Sequence, residues 1–172
     1  LGIDRFHDYL ARFSFGQRTG IDLNAEGVGV LPSRAWKRKH FNQPWFPGET
    51  ALAGIGQGYS VVTPLQLAHA TAILAGHGIA HTPRILRSTR AAHDDAPRMV
   101  PRPAPTTGLV GNPEHLAAIA EGLVAVLHGP TGTAQAVGRD SPFLVAGKTG
   151  TAQVRSTPRS GTRPNSTERR LQ

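Results

Sequence analysis

Cysteine is absent from all 172 residues, which excludes disulfides and thiolate metal sites. Its absence does not fix a compartment, because disulfide-free chains occur in reducing and oxidising surroundings alike. Methionine occurs once, at Met99, and the chain opens on Leu1 without a secretory signal. The opening residues read as mid-helix, as expected of a piece of a longer chain. Long apolar runs are missing too. Thr50 to Pro83 holds no charged residue, yet Gly54, Gly56, Gln57, Gly58, Pro64, Gln66, His69, Gly76 and His77 interrupt it. A spanning helix needs about 20 continuous apolar residues, so this stretch reads as a buried loop and a buried helix. Acidic residues are scarce beside basic ones, 11 against 19, for a formal charge of +8. Nucleic-acid or anionic-surface binding is one consequence of such a balance. Five arginines, however, crowd into residues 155–172, and Arg34, Lys37, Arg38 and Lys39 form a second local cluster. Neither cluster carries a helix-turn-helix, zinc-finger or aromatic-stacking signature. A solvated basic face and tail is the plainer expectation, with no nucleic-acid partner.

What is abundant is glycine and proline, a fifth of the chain. The length suits one domain with a single core. Short helices separated by long turns are expected, and no fixed-period repeat occurs. Ile3, Phe6, Leu10 and Phe13 mark an apolar helical face over residues 1–13. Residues 21–45 read as irregular, punctuated by Pro32 and Pro44 with Pro47 beyond, and Trp36, Trp45 and Phe46 are expected to pack this segment down. Thr63-Pro64-Leu65-Gln66 is a strong helix start: a capping threonine, proline at the first position and glutamine to close a capping box. That helix is expected to stop near Gly76 or Gly78. Residues 79–87 read as extended, with Pro83 arguing for an edge or bend, and residues 88–111 as a long surface connection. Asn112-Pro113 opens a second helix, with Leu116, Ile119, Leu123 and Val126 on one face and an end near Gly129. A loop at 130–141 precedes Phe143 to Val154, which reads as a partly buried strand. From Arg155 aliphatic residues all but vanish, so residues 155–172 are expected to be a polar, basic, disordered loop or tail.

The chemistry-bearing motif is Lys148-Thr149-Gly150, on the expected strand and followed by Thr151-Ala152-Gln153. Side chains alternate along a strand, so Lys148 and Gly150 would share one face, Thr149 and Thr151 the other. On an edge strand, an incoming peptide backbone could pair with free N–H and C=O groups. Gly150 would keep bulk away from that backbone and Lys148 would supply positive charge. A threonine hydroxyl could donate to a terminal carboxylate, and a backbone N–H near Thr151 could stabilise an oxyanion. Three residues alone fit an ordinary strand ending in a turn equally well.

Further motifs change the weighting. Phe15-Gly16-Gln17-Arg18-Thr19-Gly20-Ile21-Asp22-Leu23, followed by Glu26 and Gly29, resembles the segment after the second active-site motif of class B penicillin-binding proteins. Leu31-Pro32-Ser33-Arg34-Ala35-Trp36-Lys37 and Pro44-Trp45-Phe46-Pro47-Gly48-Glu49-Thr50 are similar to the elongation-specific penicillin-binding protein 2 family. So are Gly54-Ile55-Gly56-Gln57-Gly58-Tyr59, Thr63-Pro64-Leu65-Gln66-Leu67-Ala68, Gly132-Thr133-Ala134 and Gly147-Lys148-Thr149-Gly150-Thr151-Ala152-Gln153-Val154. The matches run in family order over most of residues 1–154. The resemblance implies an α+β fold with helices packed on an antiparallel sheet, residues 1–154 forming the C-terminal portion of a transpeptidase domain. It implies an inner-membrane protein with a periplasmic catalytic domain that crosslinks peptidoglycan stem peptides through a serine acyl-enzyme and is acylated by β-lactam antibiotics. Elongation-machinery proteins, including a glycan polymerase, are the implied partners. Lys148, Thr149, Gly150 and Thr151 are the implied substrate-binding residues, and no cofactor is implied.

The family's nucleophile is the serine of Ser-x-x-Lys, with a Ser-x-Asn-type motif after it. None of the eight serines here has lysine three positions on, and no Ser-x-Asn occurs. Both motifs are therefore expected before Leu1, and no catalytic residue is assigned within the chain. The rival class is a binding module derived from the same fold, retaining the Lys-Thr-Gly segment without chemistry. The sequence before Leu1 discriminates the two, and salt-dependent DNA binding would favour a nucleic-acid binder instead. His77 and His81 are four apart, but Gly78 intervenes and no third ligand is evident, so no metal is expected.

Overall fold

Thr63 starts the central helix, α4 (Pro64–Ala75), as its sequence demands. The Thr63 hydroxyl accepts from the Gln66 N–H at 3.1 Å, and the side-chain Oε1 of Gln66 accepts from the Thr63 N–H at 3.0 Å. Gln66 is fully buried and does more than cap. Its side-chain amide donates to the carbonyls of Gln17 (2.7 Å), Val28 (2.9 Å) and Ser14 (3.2 Å), drawing the 14–28 loop onto the helix start. Ala70 and Ile73 of α4 bury against Phe13, with Phe15, Leu74, Ala80, Leu109 and Val110 packed around them. The structure is a computed structural model, and it describes residues 2–94 and 96–151. The polar stretch expected at 155–172 lies outside the described residues.

The first helix, α1 (Ile3–Ala11), buries Ile3, and Phe13 completes its apolar face from the turn that follows. Two further helices occupy chain expected to be irregular or unassigned. α2 (Arg34–Phe41) is capped by Ser33, whose hydroxyl accepts from the Trp36 N–H at 3.0 Å, and Asn42 ends it in the left-handed region at φ 52°. Arg38, Lys39 and His40 occupy its last turn, where cations favour the negative end of the dipole. α3 (Pro47–Gly54) has Pro47 at its first position, and Glu49 accepts from the Phe46 N–H at 2.8 Å. Periodicity conceals α2 because its buried residue is Lys37, not an aliphatic.

α5 (Pro113–His128) follows an Asn112 cap, with Leu116 and Leu127 buried and Ile119 still 43% exposed. The loop after it contains one short helix, α6 (Gln135–Gly138), packed back on α5. The expected sheet is much reduced. Among the described residues the only strands are β1 (Ser88–Thr89) and β2 (Arg98–Met99), antiparallel with Ser88 opposite Met99 and Thr89 opposite Arg98. They lie within the stretch expected to be a plain surface connection. Residues 79–87 form no strand and contribute only the bridge Ala80–Thr106; a second bridge joins Val30 to Val61. Residues 143–151 form no strand either. A strand exists only where a neighbour takes its backbone groups, and here the Gly147 N–H goes instead to the Leu123 carbonyl of α5 at 3.0 Å.

Candidate functional site

The chain leading into Lys148–Thr151 is held on the C-terminal half of α5 through Val145 and Gly147. The Val145 N–H donates to Nε2 of His128 at 3.1 Å, and Gly147 sits so close that an added Cβ would stand 3.1 Å from Cδ1 of Leu127. Glycine there allows the chain to hug the helix. All four motif residues are exposed.

The expected alternation of side chains does not hold. Nζ of Lys148 donates to the Thr149 carbonyl at 2.9 Å and reaches Oγ1 of Thr149 at 3.3 Å, so lysine and threonine meet on one side. Without a ladder nothing holds a pleat across these residues. Among the described residues the ion pairs are Arg34–Asp4 and Lys37–Glu49, so the Lys148 ammonium carries no carboxylate partner there.

Two tethers hold the segment from other parts of the chain. Oγ1 of Thr149 lies 3.2 Å from Oγ1 of Thr133. Gly132, the residue before Thr133, has no room for a Cβ, which would run into the carbonyl oxygens of Ala125 and Val126. That glycine seats the loop on α5 and presents Thr133. From the opposite side, Nε2 of Gln57 donates to the Thr151 carbonyl at 2.9 Å. Ile55, Gln57, Thr149, Gly150 and Thr151 line a shallow cavity of about 360 Å³. Gly150 faces open space. A wider hollow of about 670 Å³, between Arg84, Arg87, Met99 and Arg102, contains none of the motif residues.

The turn that carries Gln57 rests on a charged core between α2 and α3. Lys37 is 1% exposed and ion-paired with Glu49, whose carboxylate also accepts from the Tyr59 hydroxyl at 3.2 Å. The ammonium stands 4.4 Å from the ring centre of Phe46 and 5.7 Å from that of Tyr59. Burial on its own would push the Glu49 carboxyl up. Hydrogen bonds from Lys37, the Phe46 N–H and Tyr59 outweigh it and hold the group below the usual 4.5. Lys37 is thus no part of a solvated basic face. Trp36, Trp45 and Phe41 cluster on Tyr59, with ring centres 5.3 to 6.2 Å away.

Two acidic residues of the 19–26 segment act as backbone clamps. Glu26 accepts from the Thr19 N–H and hydroxyl, both at 2.7 Å, and these bonds keep its carboxyl low despite the opposing desolvation. Asp22 accepts from the Ile85 and Leu86 N–H groups at 2.7 and 2.8 Å, which lowers its carboxyl too. His77 lies in the turn after α4 at φ 55°, and the His81 carbonyl faces Nε2 of His69 at 3.1 Å. Among the described residues no three ligating side chains gather.

Sequence reasoning singled out Lys148 to Thr151 and missed Ile55, Gln57 and Thr133 as their neighbours. The available signal was glycine: Gln57 stands between Gly56 and Gly58, and Thr133 follows Gly132.

Comparison with known proteins gives the family. The family model for the penicillin-binding protein transpeptidase domain matches residues 1–167. The chain is 39% identical over 154 residues to the peptidoglycan D,D-transpeptidase MrdA of Escherichia coli K12, covering 90% of this chain and 24% of that protein. MrdA of Acinetobacter baumannii is 39% identical over 156 residues, with 91% and 22% covered. The chain therefore spans about a quarter of the length of these curated relatives. Among solved structures, penicillin-binding protein 2 of Pseudomonas aeruginosa in complex with WCK 5153 superposes with a TM-score of 0.75 at 43% identity, covering 90% of this chain and 34% of that one. Penicillin-binding protein 2 of Helicobacter pylori, in complex with MreC, gives 0.76 at 33% identity, with 90% and 27% covered. The chain belongs to the penicillin-binding protein transpeptidase family and is a portion of a transpeptidase domain of the penicillin-binding protein 2 type.

Proposed function

We propose that the chain supplies the substrate-binding edge of a serine D,D-transpeptidase, which crosslinks peptidoglycan stem peptides and is acylated by β-lactams. The observation that carries this is the Lys148–Thr151 segment, exposed, tethered through Thr149 and Thr151, and bordering a cavity beside an unobstructed Gly150. Lys148 attracts the terminal carboxylate of the peptide, or the carboxylate of a penicillin that mimics it. The carboxylate replaces the carbonyl and hydroxyl of Thr149 as acceptor for the ammonium, a charge-assisted exchange that favours the ligand. Thr149 donates its hydroxyl to the same carboxylate. The peptide backbone approaches over Gly150, where no side chain intervenes. A backbone N–H near Thr151 faces the oxyanion that forms as the serine attacks the acyl carbonyl.

That serine comes from a Ser-x-x-Lys motif in the part of the protein preceding this chain, together with the Ser-x-Asn motif. The leaving D-amino acid departs, and the amine of a second stem peptide takes the acyl group. The family implies an inner-membrane anchor and a periplasmic catalytic domain; no helix among the described residues is long and apolar enough to cross a membrane. Elongation-machinery partners, including a glycan polymerase, follow from the same family, and the complex of the Helicobacter pylori relative with MreC supports a partner of the elongation machinery.

The test is Lys148→Ala in the full-length protein. Losing a charge-assisted contact to the carboxylate should slow acylation by a fluorescent penicillin about a hundredfold, with the thermal midpoint nearly unchanged because Lys148 is exposed. Acylation at a near-normal rate contradicts the role. If the full-length protein has no Ser-x-x-Lys and is not acylated, the binding-module reading replaces this one.

A further inference from the structure

We propose that Gln57 is a positioning residue for acyl transfer, holding the Thr151 peptide so that the backbone groups beside it face the reacting carbonyl. The proposal rests on the substrate role of Lys148–Thr151 and adds the device that fixes their far end.

Three observations carry it. The first is the 2.9 Å hydrogen bond from Nε2 of Gln57 to the Thr151 carbonyl, between residues 94 apart in the chain. The described residues form no ladder at this segment, and two side-chain bonds hold it there. Thr133 pins Thr149 and Gln57 pins Thr151, leaving Gly150 between two fixed points.

The second is the turn that delivers Gln57. Gly56 and Gly58 adopt φ of +76° and +84°, a region that side chains disfavour. Neither is a glycine for want of space: nothing lies within 4 Å of a Cβ at Gly56, and at Gly58 the nearest atom is 3.6 Å away. They serve the backbone path, which curls the chain off the end of α3 and aims Gln57 across the cavity. The Gln57 N–H is itself held by the Leu52 carbonyl at 3.0 Å.

The third is the rigidity of the base. Glu49 of α3 and Tyr59, just past the turn, share a hydrogen bond beside the buried Lys37 ammonium. The turn is thereby anchored at both ends, and a positioning group needs such a mount. Gln57 touches no reacting atom. It orients the peptide that does, and one lone pair of the Thr151 oxygen stays free for an incoming N–H.

The experiment compares Gln57→Ala, Gln57→Glu and Lys148→Ala with wild type, all in the full-length protein, by stopped-flow acylation with a fluorescent penicillin from pH 5 to 8. Thermal midpoints are measured alongside. Gln57→Ala should lower the acylation rate at saturating penicillin about tenfold at every pH, the worth of one neutral hydrogen bond. The half-saturating concentration should change little, because the carboxylate contacts of Lys148 remain. Gln57→Glu has nearly the same shape but sets an ionised carboxylate against a carbonyl. It should be as slow as Gln57→Ala at pH 8 and begin to recover at pH 5, where about a sixth of an ordinary glutamic acid is protonated and can donate. A purely structural role for Gln57 predicts no such recovery. Wild-type rates in both Gln57 variants, or losses that track the folded fraction and ignore pH, overturn the proposal. If Lys148→Ala also acylates normally, the substrate role of the segment has failed; if Lys148→Ala alone is slow, only the positioning role has.

Discussion

Lys37 shows how much a single residue can mislead and then explain. By composition it belongs to a basic cluster, yet its ammonium is buried against Glu49, Phe46 and Tyr59. Removing one partner of such a pair leaves a charge without compensation, so Glu49→Gln should cost the full-length protein about 3 kcal/mol at neutral pH. The pH dependence has a definite sign. The Glu49 carboxyl lies below 4.5 in the folded chain and near it in the unfolded chain, so folding favours the ionised form. Its contribution is complete above 4.5 and is lost as pH falls through the lower, folded value. The stability gap between wild type and Glu49→Gln should therefore close on acidification, as followed by denaturant unfolding at a series of pH values. A gap independent of pH would show that the pair does not act through ionisation. Gln66, by contrast, was legible as a capping residue, although its bonds to Ser14, Gln17 and Val28 were not. Capping is local in sequence, whereas those carbonyls lie 38 to 52 residues away.

Elements were legible in proportion to how much of their signal was local. α4 and α5 declare themselves through Thr63-Pro64 and Asn112-Pro113, and both begin where those residues place them. α2 and α3 had start signals as well, in Ser33 and in Pro47 with Glu49, but flanking prolines and a buried lysine hid the apolar face. The strand expected across Phe143 to Val154 depends on a neighbour, and β-rich composition cannot supply one. The described part, 143–151, leans on α5 instead. The loop between α5 and the motif makes a sharper claim. Gly132→Ala would push a methyl group into the carbonyls of Ala125 and Val126, so the loop must lift and take Thr133 from Thr149. In the full-length protein this change should slow penicillin acylation several-fold, while Thr133→Ser, which keeps the hydroxyl, should not. Equal rates in wild type and Gly132→Ala would show that the Thr133 tether is dispensable.

At the scale of the whole molecule, the family was legible because its motifs are dispersed in order along the chain, and the matched region, residues 1–167, agrees. The extent of the sheet was not, because pairing partners cannot be read from the segments they join. Phe143 and Leu144 are each 76% exposed and Ile55 is 72% exposed, large apolar surfaces that fit a chain covering about a quarter of its relatives' length. The central claim is that this chain completes a transpeptidase site whose nucleophile lies elsewhere. None of its eight serines has lysine three positions on, Lys37 four after Ser33 is ion-paired with Glu49, and an unassisted hydroxyl is a poor nucleophile at neutral pH. The most direct measurement is labelling by a fluorescent penicillin, with intact mass, of this chain alone and of the full-length protein. The account predicts no adduct on the chain alone and one acyl group per full-length molecule, on a serine outside these 172 residues. A stoichiometric adduct on a serine within the chain would contradict it.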